Sequence, residues 1–224
     1  MVAKEFIGKK IIGTSRELEG HIDNMFYLFD KNIIAVNQKS LLDIGCGSGE
    51  RTIRIAKYFD IHTQYTYGVD SNNRQIAACR KMFNAEVIDL ESDSLPYHDN
   101  YFDLVVCNQV LEHLKNYKKV LDDMIRVTRE RGYIVIGVPN LAHLINRIYL
   151  LFGIQPMCIH LNSSHVRAFT HKAFVGMLNS LSQVKLIDYA GAVMYPLPYC
   201  IARKLSGYFA GLSGYVCYLL QKTN

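Results

Sequence analysis

No Cys-x-x-Cys pair occurs in this chain. The six cysteines stand far apart, at 46, 79, 107, 158, 200 and 217, several of them in strand-like apolar runs. That spacing fits buried, reduced thiols in a cytoplasmic protein better than a disulfide framework, and no residue set has metal-ligand spacing, so no metal is expected. There is also no internal repeat and no low-complexity segment. Half of the 224 residues are hydrophobic, enough to bury the core of one domain carrying appended caps. The first residues lack a long apolar stretch and a cleavage pattern, so no secretion signal is read. Residues 205–220 carry no charge, but sixteen residues with three glycines are short for a spanning helix; they read as a helix, a turn and a last core strand. Acids are the scarcest feature of one region. Residues 142–224 hold seven Lys/Arg and a single acid, Asp188, against 18 and 19 in residues 1–141. Such an imbalance suits either solvated faces or a surface that meets an anionic substrate or membrane. In the second case residues 195–209, with Arg203 and Lys204, would lie peripherally on the inner face of a membrane.

What is present centres on Leu41-Leu42-Asp43-Ile44-Gly45-Cys46-Gly47-Ser48-Gly49, an apolar run that enters an acid and then three glycines on alternate positions. Glycines let a backbone take φ > 0 and approach a ligand closely. A dinucleotide fingerprint starting at Gly45 would need its third glycine at position 50, which is Glu50. A phosphate-cradling loop would need a Gly-Lys-Ser/Thr ending, which is absent. A carboxylate at position 50 would repel a pyrophosphate, and this disfavours a nicotinamide-dependent oxidoreductase. It does not disfavour a cofactor that carries a cation and no phosphate.

From Leu41 onward strands and helices alternate, which predicts βαβ units and a parallel sheet with helices on both faces. Strands are expected at 41–45, 65–70, 87–90, 102–108, 132–136, 184–190 and 215–220. Helices are expected at 50–59, at 72–83 (burying Ile76, Ala77, Met82 and Phe83), at 116–129 (burying Val120, Leu121, Met124, Ile125 and Thr128, with Asn116 as cap) and at 170–181. Residues 1–38 and 140–168 do not fit the sheet pattern. Ligands in open α/β sheets bind outside the carboxyl ends of the strands, so both segments are expected to be helical caps at that rim.

In order, the chain shows Asp43 with its Gly-x-Gly-x-Gly, then Asp70 ending Tyr67-Gly68-Val69-Asp70, and Asp89 in Val87-Ile88-Asp89-Leu90. Leu95-Pro96 follows, then Phe102-Asp103-Leu104-Val105, Leu111-Glu112-His113 and Gly132-Tyr133-Ile134-Val135-Ile136. This succession resembles the class I S-adenosylmethionine-dependent methyltransferases, in particular the ubiquinone- and methionine-biosynthesis type of small-molecule members. The resemblance covers residues 41 to 140, and more loosely 160 to 190. It implies a doubly wound, seven-stranded, mostly parallel sheet with the last strand antiparallel. It also implies S-adenosylmethionine as cofactor and S-adenosylhomocysteine as product.

Each matched residue then has an implied task. Asp70, with Ser71 beside it, would accept from the two ribose hydroxyls, and Asp89 with the Leu90 amide would face the adenine. Gly45, Cys46 and Gly47 would lie against the methionine half, with Asp43, directly or through water, and the Asn108 carbonyl attracting its ammonium. Methyl transfer needs alignment of the acceptor, and a base only where the nucleophile is protonated. The base candidates are His113, after the fourth strand, and His165, in a His-x-x-x-Phe-Thr segment that resembles one in small-molecule members; His160 has no such support. Where nucleic-acid amine methyltransferases resemble one another in Asp/Asn-Pro-Pro-Tyr/Phe, this chain has Asn108-Gln109-Val110-Leu111, and no aromatic-rich basic patch is present. Nucleic acid is therefore disfavoured, and the expected acceptor is an oxygen nucleophile on a small, sugar or lipid-linked molecule. A non-catalytic S-adenosylmethionine-binding sensor or partner subunit would keep the same acids and stands as the alternative.

Overall fold

The computed structural model describes residues 16–36, 39–192, 205 and 208–224. Its elements run α1 (Arg16–Asn32), β1 (Leu41–Ile44), α2 (Glu50–Tyr58), β2 (Thr66–Asp70), α3 (Asn73–Cys79), β3 (Asn84–Val87), β4 (Phe102–Asn108), α4 (Tyr117–Val127), β5 (Thr128–Pro139), α5 (Leu144–Leu151), α6 (His171–Asn179), β6 (Val184–Ala192) and β7 (Tyr215–Lys222). The strands form one seven-stranded sheet in the order β3-β2-β1-β4-β5-β7-β6. The first five strands are parallel, and β7 runs against both β5 and β6, as expected.

Strand side chains alternate between faces, so a sheet buried on both sides needs apolar residues at successive positions. β4 meets this requirement in full, since all seven of its residues are buried. On one face Leu42, Ile44, Val105, Ile134, Ile136, Val216 and Tyr218 pack under Val120, Leu121, Met124 and Ile125 of α4 and Phe174 and Leu178 of α6. On the other, Leu41, Leu104, Val106, Val135, Cys217 and Leu219 meet Met25, Leu28 and Phe29 of α1 and Ile55 and Ala56 of α2. The helix α1 is therefore a full member of the second layer rather than a detachable cap. Its far end is tied to β6, where Asp188 accepts from Asn32 Nδ2 at 3.0 Å and pairs with Lys31 Nζ at 2.7 Å.

Several local expectations shift. The Asn72 side chain caps α3 by accepting from Arg74 N and Gln75 N, but the helix ends at Cys79. Cys79 takes the inward position in place of Ala77, and Met82 is 40% exposed. Phe83 is buried over Gly49 and Gly68, where an added Cβ would meet its ring at 2.8 Å. The third strand lies at residues 84–87, earlier than expected, and leaves Asp89 in the loop beyond it. Asn116 stands at the N-cap of α4 without a side-chain bond. Thr128 leaves the helical path: it is extended and buried, its Oγ1 donates to the Met124 carbonyl at 2.6 Å, and β5 begins there.

The segment after β5 carries α5 and a 3-10 turn at Met157–Ile159. Buried Asn140 fastens its root, donating to the Gly211 and Ser213 carbonyls and accepting from Ala142 N and His171 N. Beyond that root the segment is apolar and uncovered: Leu151 is 80% exposed, Phe152 72% and Leu161 89%. Among the described residues no helix is long and apolar enough to cross a membrane. Most of the 195–209 segment, including Arg203 and Lys204, lies outside the described residues.

If α1 is core, truncating its inner face removes packing that cannot collapse. Leu28→Ala is expected to lower unfolding stability by about 2–5 kcal/mol, measured by urea denaturation. A loss under about 0.5 kcal/mol, typical of surface sites, would make α1 a loose cap after all.

Candidate functional site

The parallel register places the carboxyl ends of three neighbouring strands at one level. Ile44 is level with Val69 of β2 and Cys107 of β4, so the residues that follow each strand emerge side by side. Between them the chain turns through Gly45 (φ +71°), whose amide and that of Cys46 donate to the Val69 carbonyl at 2.8 and 3.0 Å. A Cβ on Gly45 would lie 2.3 Å from Val110 Cγ2, so this position requires glycine for space as well as for φ. Gly49 (φ +78°) ends the turn as the N-cap of α2.

The acid at the end of β2 serves this loop directly. Asp70 Oδ2 accepts from Gly47 N at 3.0 Å and its Oδ1 from Asn72 N at 2.9 Å. An ionised carboxylate offers about four lone-pair sites, so two remain for hydroxyl donors. Ser71 follows, exposed. Asp89 is exposed and its Oδ1 accepts from Glu91 N at 3.0 Å, which shapes the turn that carries Leu90. Exposed Glu50 occupies the first turn of α2, where a phosphate would otherwise sit.

Asp43 is placed differently. Its side chain is fully buried beneath the loop, receiving Arg51 Nη2 at 2.7 Å, Arg51 Nε at 3.2 Å and Thr52 Oγ1 at 2.6 Å. Arg51 Nη2 also donates to the Gly45 carbonyl at 2.9 Å. All its close partners are internal, and Asp43 braces the loop from beneath. Asn108 is likewise buried, its Oδ1 accepting from Tyr215 Oη at 2.6 Å. Burial holds the Tyr215 phenol well above its ordinary range. His21 of α1 stacks on Tyr215 at 3.9 Å between centroids; burial, and then the Arg51 charge, lower its imidazole to about 4, which keeps it neutral. Arg51, Tyr215 and His21 escape a reading of the sequence. Only the Asp43–Arg51 pair leaves a trace, a cation in the first turn of the helix that follows the acid.

Beyond β4, Val110 covers Gly45 and the chain makes a 3-10 turn at Leu111–His113. Here the two expected bases meet. The His113 and His165 rings are 4.8 Å apart, edge to face. His165 Nδ1 lies 2.6 Å from the Cys158 carbonyl. His113 Nδ1 lies 3.3 Å from the Ser164 carbonyl and 3.1 Å from its Oγ. Burial lowers the His113 imidazole. Beside the two rings is Glu112, fully buried, with no hydrogen-bond partner for either carboxylate oxygen; burial pushes its carboxyl up to about 7. The Glu112 carbonyl accepts from Val166 N and Arg167 N, which fastens the 160s segment to this turn. His160 is exposed and takes no part.

Residues 42–136 match a protein-family model described as a methyltransferase domain. Over 139 residues the chain is 26% identical to ajmaline N-methyltransferase of Rauvolfia serpentina, covering 55% of this chain and 47% of that protein. Over 104 residues it is 32% identical to 27-O-demethylrifamycin SV methyltransferase of Amycolatopsis mediterranei, covering 43% and 37%. The chain thus spans about half or less of the length of these curated relatives. A solved structure from Thermotoga maritima, described as an S-adenosylmethionine-dependent methyltransferase and possible histamine N-methyltransferase, superposes with a TM-score of 0.65 at 15% identity. It covers 92% of this chain and 89% of that one.

Removing one member of a buried ion pair leaves an uncompensated charge. Arg51→Met is therefore expected to cost about 3–5 kcal/mol in chemical denaturation, and adding Asp43→Asn should recover most of it. Equal, additive losses from the two changes would show that the pair does not carry the loop.

Proposed function

We propose that the chain, whose residues 42–136 match a methyltransferase domain, takes S-adenosylmethionine and transfers its methyl group to a hydroxyl of a small, apolar or lipid-linked acceptor. The observation that carries the cofactor half is Asp70. It stands at a strand's carboxyl end with spare lone pairs, beside a loop whose Gly45, Gly47 and Gly49 take positive φ and whose following helix opens on Glu50, a poor place for phosphate. Asp70 would take the ribose hydroxyls with Ser71 alongside, and Asp89 and the Leu90 amide the adenine. The backbone of Gly45, Cys46 and Gly47 and the carbonyl of Asn108 would hold the methionine half, with Asp43 acting from beneath through Arg51. When bound, the cofactor supplies a methyl carbon activated by positive sulfur.

The rest is the chain's own work: aligning the acceptor, keeping water out and dealing with its proton. Relatives are named for N- as well as O-methylation, so the preference for oxygen rests on this chain. An amine needs no base once neutral, whereas a hydroxyl must lose a proton, and His113 and His165 supply basic nitrogens at the rim. A carbonyl oxygen can only accept, so the Cys158 contact puts the His165 proton on Nδ1 and leaves the Nε2 lone pair free. The exposed apolar residues of the α5 segment, in a region with one acid, favour an apolar acceptor presented at a membrane surface.

Asp70→Ala is expected to weaken S-adenosylhomocysteine binding by at least about tenfold, the loss of one or two charged hydrogen bonds; unchanged affinity would defeat the ribose assignment. Incubation with methyl-labelled cofactor and hydroxylated lipids or sugar nucleotides should place label on an oxygen. Label only on amines would refute the acceptor class.

A further inference from the structure

We propose that Glu112, His113 and His165 bind one divalent transition ion of the Zn2+ type, with a coordination position left open toward the acceptor side of the rim. One potential ligand atom from each of the three lies within 4.8 Å of the others. The ligands of a tetrahedral ion with bonds of about 2.0–2.1 Å are about 3.3 Å apart, so small rotations, easiest for exposed His113, complete the set.

Three independent features fit a cation here. Glu112 is fully buried with both oxygens unpartnered, a costly arrangement that a bound cation relieves. His165 backs its Nδ1 against the Cys158 carbonyl, which leaves Nε2 as its ligating nitrogen, and His113 Nδ1 lies against the carbonyl and hydroxyl of Ser164. That is the outer-shell pattern of metal-ligating imidazoles. The 160s segment is held on the turn by Val166 N and Arg167 N on the Glu112 carbonyl, and by Arg167 on the Leu114 and Lys115 carbonyls, so His165 is positioned rather than tethered. Spacing hid the set, because His165 arrives from 52 residues beyond His113. Two nitrogens and one carboxylate suit zinc, cobalt or iron better than magnesium or calcium, and three protein ligands leave a place for an exogenous oxygen.

What that place does rests on the methyl-transfer reading. With their lone pairs on the ion the two histidines act as ligands in place of bases, and an acceptor hydroxyl bound to the ion would release its proton to water at lower pH than when free. Its oxygen would then form the new C–O bond as the cofactor's C–S bond breaks, leaving a neutral thioether and an unchanged ion.

The test is titration of the chelator-treated, dialysed protein with Co2+, followed by visible absorption. One equivalent should produce the intense bands of a four- or five-coordinate ion, and Zn2+ should abolish them. Glu112→Gln and His165→Ala should each weaken uptake at least about tenfold, while S-adenosylhomocysteine affinity stays within twofold of the parent and reports that the fold is intact. Absence of any saturable change, or saturable uptake unaltered in both variants, would overturn the site. Co2+ uptake without S-adenosylhomocysteine binding would uphold it while removing the methyl-transfer reading. S-adenosylhomocysteine binding without Co2+ uptake would do the reverse.

Discussion

A carboxylate with no exposure to water cannot remain charged alone, and the structure around Asp43 is organised by that constraint. Asp43 faces the layer of α1 and α2, where its neighbours along the sheet are apolar. It is satisfied there by the Arg51 guanidinium and the Thr52 hydroxyl, both from the first turns of α2. The same arginine bonds the Gly45 carbonyl, so the neutralising cation also fixes the start of the loop. Its charge in turn helps keep His21 neutral; His21 stacks on Tyr215, and Tyr215 holds the Asn108 side chain. One buried charge thus links β1, α2, α1, β7 and β4 at the level where a ligand would lie.

The rim divides into two halves with different physical character. The half over β1, β2 and β3 is made of backbone turns, exposed acids and positive-φ glycines, suited to a polar nucleoside that carries no phosphate. The half beyond β4 and β5 holds a buried acid, two histidines and an apolar segment with little cover. Val110 touches both, packing on Gly45 while leading into the Leu111–His113 turn. A group activated in the first half therefore lies beside the basic residues of the second, as group transfer between two ligands requires.

Much of this was legible in the sequence because it depends on short-range rules. The strand–glycine–helix run, the acids at strand ends and the periodicity of α4 each reflect local steric and burial demands, and the sheet followed from them. The misses were of a different kind. A 3.6-residue period extended past Cys79 puts Met82 inward, but the chain turns there and lays Phe83 over two glycines. Thr128 continues the i, i+3, i+4 pattern of α4 in sequence, yet it starts β5, and its hydroxyl satisfies the Met124 carbonyl from outside the helix. The family motif places Asp43 near a ligand's ammonium, and only the three-dimensional approach of Arg51 shows how fully its side chain is enclosed. Arg51, His21 and Tyr215 join one network from positions up to 194 residues apart, and Glu112 reveals its missing partners only when the surrounding side chains are in place.

The central claim is that the strand-end cradle takes a sulfonium nucleoside and rejects a pyrophosphate. Parallel calorimetric titrations of the purified protein with S-adenosylmethionine, S-adenosylhomocysteine and NAD test it most directly. The account predicts saturable binding of the first two, in the micromolar range or tighter, and no heat attributable to NAD. Binding of NAD with none of the adenosyl compounds would contradict it.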